Sequence, residues 1–317
     1  MISTTPLRSI GLHSAAATSP LRHRLALLSA HLVVALIALV GVGGATRVME
    51  AGLACPDWPL CYGSLLPGRQ MNLQVFLEWF HRLDAFVVGV GLLVLAGVST
   101  WRRRELPGWL PGLSIAAALL VAVQGLLGAL TVTLLLPFPV VTAHLLTALL
   151  LVALLSGCTQ GLLAPAVEST AVPCRDSESA FPWQWLAGLV LAATVLQCGL
   201  GGLMASQWAA GLCLRAGDGC GWLLAHRLGA RAAALLVLAL AAALAWRRPQ
   251  QRGWAALMAA LVLAQVALGV ISLRLSLAVP AVTIAHQLGA ALLVAVLAGL
   301  LARGDRPSTA PAEAIHG

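Results

Sequence analysis

Apolar residues along this chain come in long blocks, with polar residues gathered between them. The apolar runs are Leu25–Gly44, Phe86–Thr100, Leu110–Leu136, Val140–Leu163, Trp185–Met204, Leu223–Trp246, Trp254–Leu275 and Val282–Leu301. Each is near the ~20 residues a helix needs to cross a bilayer core, the second only if it starts near Glu78. The pattern predicts an all-α integral membrane protein with eight transmembrane helices.

Composition supports this. The chain has 317 residues, 60% of them hydrophobic and 9% charged, with a mean hydropathy of +0.93. No single soluble core hides that much apolar surface, so the lipid bilayer is the expected solvent. The net charge of +8 does not point to nucleic acid, because its arginines are scattered between spans rather than gathered on one face. They orient the chain instead. With both termini cytoplasmic, inner segments hold Arg8, Arg22, Arg24, Arg102, Arg103, Arg104, Arg175, Arg247, Arg248, Arg252, Arg303 and Arg306. Outer ones hold Arg47, Arg69, Arg215 and Arg274. The first run is too long for a signal-peptide core and reads as a span. The tails before Leu25 and after Arg303 are expected to be mobile.

The second half repeats the first. Gly43-Gly44-Ala-Thr-Arg47, Ala51-Gly52-Leu53, Cys55 and Cys61 are echoed by Gly201-Gly202-Leu-Met-Ala205, Ala210-Gly211-Leu212, Cys213 and Cys220. Glu78-x-x-His81-Arg82 meets Leu223-x-x-His226-Arg227. Gln124-x-x-x-Gly128 and His144 meet Gln265-x-x-x-Gly269 and His286. Each copy holds an even number of spans, so the copies share one orientation, unlike the inverted repeats of many transporters. The expected organisation is two tandem four-helix bundles. Residues 1–24 form a cytoplasmic tail, 25–163 the first unit, 164–184 a cytoplasmic linker, 185–302 the second unit and 303–317 a second tail.

His81, His144, His226 and His286 all fall just inside the starts of even-numbered spans, hence at one depth near the outer surface. Two such imidazoles per unit, on neighbouring helices, suit the two axial positions of a haem iron. Zinc is less apt, since a catalytic zinc usually takes three protein ligands. A lone histidine in a membrane helix is often only a hydrogen-bond donor, and His13, His23, His31 and His316, which have no repeat partner, are read as unliganded. Arg82 and Arg227 are candidates to pair with haem propionates, against simple snorkelling to headgroups.

Cys55 with Cys61, and Cys213 with Cys220, lie in outer loops where disulfides persist, and are expected to bridge; structural and redox roles both stay open. Cys158, Cys174 and Cys198 read as inert thiols. The halves differ at one informative place: Glu78 lies one turn from His81, whereas its counterpart is Leu223. Glu78 is either solvated or salt-bridged to Arg82 or Arg47, or it moves protons at a reacting group.

Together the two paired-histidine units, Gly43–Arg47, Ala51-Gly52-Leu53, Cys55-Pro-Asp-Trp-Pro-Leu-Cys61, Glu78-x-x-His81-Arg82 and the Gln-x-x-x-Gly starts resemble the haem A synthase family over about residues 25–302. The resemblance implies an oxidoreductase of the bacterial plasma membrane that converts the C8 methyl of haem O to a formyl, giving haem A for cytochrome c oxidase. It implies that His226 and His286 ligate a resident haem b, that His81 and His144 ligate the substrate haem, that Glu78 is the catalytic carboxylate and that the two cysteine pairs are loop disulfides. Haem O synthase and a quinone or other electron acceptor are implied partners, and self-association is left open. A dihaem cytochrome b type electron-transfer subunit and a non-catalytic haem-binding transporter or chaperone are the rival readings.

Overall fold

The computed structural model describes residues 19–164, 183–204, 213, 215–216 and 219–303. The two terminal tails, most of the linker with Cys174, and the Ala210–Leu212 echo lie outside the described residues, as do His13 and His316. Among the described residues there are eight helices long and apolar enough to cross a membrane. They are α1 (Pro20–Val48), α2 (Leu73–Trp101), α3 (Trp109–Thr133), α4 (Phe138–Leu163), α5 (Trp183–Met204), α6 (Gly221–Arg247), α7 (Arg252–Arg274) and α8 (Pro280–Arg303).

Two of these begin earlier than hydropathy indicates, for local reasons. The Ser19 hydroxyl accepts the Arg22 N–H at 3.2 Å and Pro20 occupies the first turn, so α1 starts before the apolar run does. The Asn72 side chain accepts from Val75 N–H at 3.0 Å and starts α2 well ahead of Phe86. The added turns of α2 hold Gln74 and Glu78, which depress its hydropathy, yet they bury Val75 and Glu78 against a loop.

Three helix ends share one turn. The N–H of Ala51, Leu136 and Leu277 reaches back to the carbonyl of Thr46, Thr131 and Ser272, at 2.7, 2.7 and 2.9 Å. The residue before each, Glu50, Leu135 or Ser276, has positive φ. This is the left-handed closure that ends a helix and returns the chain, here made without glycine.

Within the first half α1 packs on α2 and α4, and α3 on α2 and α4; within the second, α5 packs on α6 and α8, and α7 on α6 and α8. The halves meet along α1–α8, α4–α8 and α4–α5. Glycines let these helices approach, since lipid offers no hydrophobic drive and close van der Waals contact must hold them. A Cβ at Gly41 would stand 2.6 Å from Leu288, and one at Gly44 would collide with the Gln287 amide. At the corresponding places a Cβ on Gly199 would stand 3.4 Å from Leu146 and one on Gly202 3.2 Å from Leu145. The α4–α5 seam is looser: an apolar cavity of about 620 Å³ opens there, lined by Thr142, Leu146, Leu150, Gly199, Leu203 and Leu301 among others. At the opposite end of the molecule from the histidines, the Arg22 guanidinium donates to the carbonyls of Gly161, Leu162 and Ala164 at 3.0, 2.9 and 2.5 Å, which ties α1 to the C-terminus of α4.

Candidate haem-binding and oxidation site

The four repeated histidines stand at one end of the helices, each seated in the same way. Every one lies on the second helix of a hairpin and rests against a glycine of the first. A Cβ placed on Gly43, Gly128, Gly201 or Gly269 would lie 3.0, 3.6, 3.1 or 3.0 Å from Cε1 of His81, His144, His226 or His286. At Gly43, Gly201 and Gly269 the missing side chain lets the imidazole lie flush on the neighbouring backbone, while at Gly128 a Cβ would make an ordinary van der Waals contact.

The residue four before each glycine completes the seat, through its carbonyl at three hairpins and through its side chain at the fourth, where Gln197 Nε2 lies 2.8 Å from His226 Nδ1. His286 Nδ1 donates to the Gln265 carbonyl at 3.1 Å. The Leu39 and Gln124 carbonyls take the same position toward His81 and His144, although neither Nδ1 closes to a full hydrogen bond. An Nδ1 turned toward a carbonyl leaves Nε2 with its lone pair for a metal, the usual way a protein fixes a ligand imidazole. Glutamine side chains brace three of the four hairpins: Gln124 Nε2 donates to His144 O at 3.0 Å and to Thr147 Oγ1 at 2.6 Å, and Gln197 Nε2 donates to His226 O at 2.9 Å. Gln265 lies against Gly289. The first hairpin has Leu39 there and no amide.

The imidazoles also pair across hairpins. The ring centroids of His81 and His144 are 6.4 Å apart with the planes at 71°. Two metal–nitrogen bonds of about 2.0–2.1 Å, with each ring centre behind its nitrogen, bring opposed imidazoles to roughly 6 Å, so this pair fits the two axial positions of one iron. His226 and His286 occupy the corresponding seats on α6 and α8 of the second half. Two imidazoles are the donor set the His81–His144 pair offers, which suits a metal whose other positions are already filled.

Over the His81 end lies the 49–72 loop, stapled to α2. Cys55 and Cys61 are joined, with Cα atoms 4.8 Å apart. Glu78, 4% exposed, accepts the Cys55 N–H through Oε2 at 2.8 Å and pairs through Oε1 with Arg82, so of the alternatives for this carboxylate the Arg82 ion pair is the one present. Arg82 also donates to the carbonyls of Asp57 at 2.6 Å, Cys55 at 3.4 Å and Leu60. Trp79 Nε1 donates to Leu65 O at 2.6 Å. Inside the loop Asp57 accepts N–H bonds from Tyr62 and Gly63 at 2.6 and 2.8 Å. The Gly63 amide above all, then Tyr62 and the Arg82 charge, hold its carboxyl below the usual range. Cys213 and Cys220 are joined likewise, with Cα atoms 5.0 Å apart.

The sequence pattern of the cytochrome oxidase assembly protein family matches residues 23–298. The chain belongs to that family. It is 30% identical to a protein of Shewanella oneidensis named Heme A synthase, over 81% of this chain and 89% of that protein. It is 30% identical to another of that name from Sphingopyxis alaskensis, over 86% and 89%. A shorter stretch, 30% of this chain, is 38% identical to 19% of a Protoheme IX farnesyltransferase of Haloarcula marismortui.

Within this cytochrome oxidase assembly family member, the two arginines that follow a repeated histidine have different surroundings. Arg82, a candidate for propionates, spends its guanidinium on the loop and on Glu78, because the start of α2 brings both within reach. Arg227, its repeat counterpart, is exposed. The seating glycines were missed as functional residues. Their signal was present, as Gln-x-x-x-Gly and Gly-Gly, but its meaning lies in helix pairing.

Proposed function

We propose that the chain acts as a haem A synthase, oxidising the C8 methyl group of haem O through an alcohol to a formyl group, for use in cytochrome c oxidase. The observation that carries this reading is the His81–His144 pair, spaced for one iron, beneath a disulfide loop held down by Glu78.

In this reading His81 and His144 hold the substrate haem between them. His226 and His286 hold a resident haem b, which supplies a redox centre near the substrate. Glu78 lies one turn from His81, bonded to the Cys55 amide and to Arg82, so it places a carboxyl group where it can stabilise positive charge or take a proton released as the methyl carbon is oxidised. The loop it anchors excludes water from the ring edge below. The first four-helix unit, residues 25–163, is thus the reacting one, and the second, 185–302, carries the resident haem. Both termini face the cytoplasm of a bacterial plasma membrane, a quinone takes the electrons, and a haem O synthase delivers a prenylated substrate through the bilayer. A purely electron-transferring dihaem subunit has no use for a carboxylate confined to one half, or for two disulfide-closed loops.

Purified protein should show a haem b spectrum and convert added haem O to a formyl product on pigment chromatography. Glu78→Gln should keep the haem and lose conversion. A preparation without haem, or full conversion without Glu78, sinks this reading.

A further inference from the structure

With Arg82 committed to the loop, Arg47 is another arginine at the histidine end of the first half. Arg47 lies in the last turn of α1, four residues after Gly43, the glycine that meets His81. Residues four apart share a helix face, so Arg47 stands on the face of α1 that seats His81, about 6 Å nearer the loop end. It is half-buried, and its side chain has no hydrogen bond or ion pair with any described residue. Glu78, the acid that might have neutralised it, is taken by Arg82 and the Cys55 amide. A cation so placed in a membrane protein is costly unless an anion meets it. The repeat makes it specific to this half, since Ala205 stands at the corresponding position.

We propose that Arg47 binds a propionate carboxylate of the substrate haem, and thereby determines which ring methyl is presented for oxidation. This rests on the reading of His81 and His144 as the substrate site. A porphyrin held by those imidazoles carries its two propionates on one edge. The guanidinium one turn beyond His81 offers a planar fork that a carboxylate fills with two hydrogen bonds. In haem O the C8 methyl shares its pyrrole ring with one of those propionates. Holding that carboxylate fixes the ring against rotation about the iron axis, so this methyl is set in place. Arg47 acts on the reaction by positioning.

The test uses the full-length protein with its resident haem, titrated with haem O and with haem O dimethyl ester while the Soret difference spectrum is followed. Loss of a charge-assisted pair predicts that Arg47→Ala weakens haem O binding about tenfold to a hundredfold. Arg47→Lys should recover most of it. The ester should bind wild type as poorly as haem O binds Arg47→Ala, and should be indifferent to the substitution. Retained resident haem shows that each variant is folded. If Arg47→Ala leaves haem O affinity unchanged, or if wild type binds ester and acid alike, as when Arg47 serves a lipid phosphate, Arg47 does not bind the propionate. If wild type fails to take up haem O at all, the substrate-site reading itself falls, and this inference with it.

Discussion

At the scale of single residues, the glycine under each histidine is the most exacting requirement. A methyl group on Gly43 or Gly269 would stand 3.0 Å from an imidazole carbon, and the ring would have to give by a few tenths of an ångström. Gly269→Ala should therefore lower the resident haem measured per protein by pyridine haemochrome, whereas Gly43→Ala should leave that ratio intact and weaken uptake of added haem O. Equal loss in both variants would mean that the glycines serve general packing. Asp57 gives a pH dependence. Its folded pKa lies below the unfolded value, so its ionised form stabilises the loop at pH above about 4, and that contribution disappears as pH falls through the folded pKa. Protease protection of the loop should drop on acidification in wild type and stay level in Asp57→Asn. The histidines were legible because they repeat. The Arg82 pair of Glu78 was among the alternatives the spacing offered, but its Cys55 partner was not legible, because nothing in Glu78-x-x-x-Arg82 tells that both side chains bend back to a loop some twenty residues earlier.

Among elements, α2 and the loop above it form one mechanical unit. The Cys55–Cys61 bridge restricts a short loop by about 2 kcal/mol on the chain-entropy model. Glu78, Trp79 and Arg82 then fasten that loop to the first turns of the helix. Cys55→Ser should loosen the loop without unfolding the spans, measurable as faster proteolysis between residues 55 and 66 with unchanged helical circular dichroism. The extra turns of α2 illustrate the limit of hydropathy reading. Gln74 and Glu78 hid them from an apolar window, while the Asn72 cap starts them and Glu78, Trp79 and Arg82 tie them to the loop. Arg22 does similar duty at the other end: hydrogen bonds to a charged donor are worth about 1.5–3 kcal/mol, and Arg22→Ala should lower the unfolding temperature by freeing the end of α4.

Across the whole molecule, the spans and the repeat followed from the spacing of apolar runs and of Gly, His and Cys. What could not be read is how the halves touch, because both seams use glycines that look alike in sequence. One seam closes on Leu288 and Gln287, while the other closes on Leu145 and Leu146 and leaves a cavity beside them. The shared seat of the histidines carries a consequence for descent. One helical hairpin brings one imidazole, and on the proposed reading an iron takes two, so no hairpin is tested by selection alone. A change in α1–α2 is judged against α3–α4, and one in α5–α6 against α7–α8. Substitutions among relatives should therefore be correlated inside each couple of hairpins and nearly independent between couples.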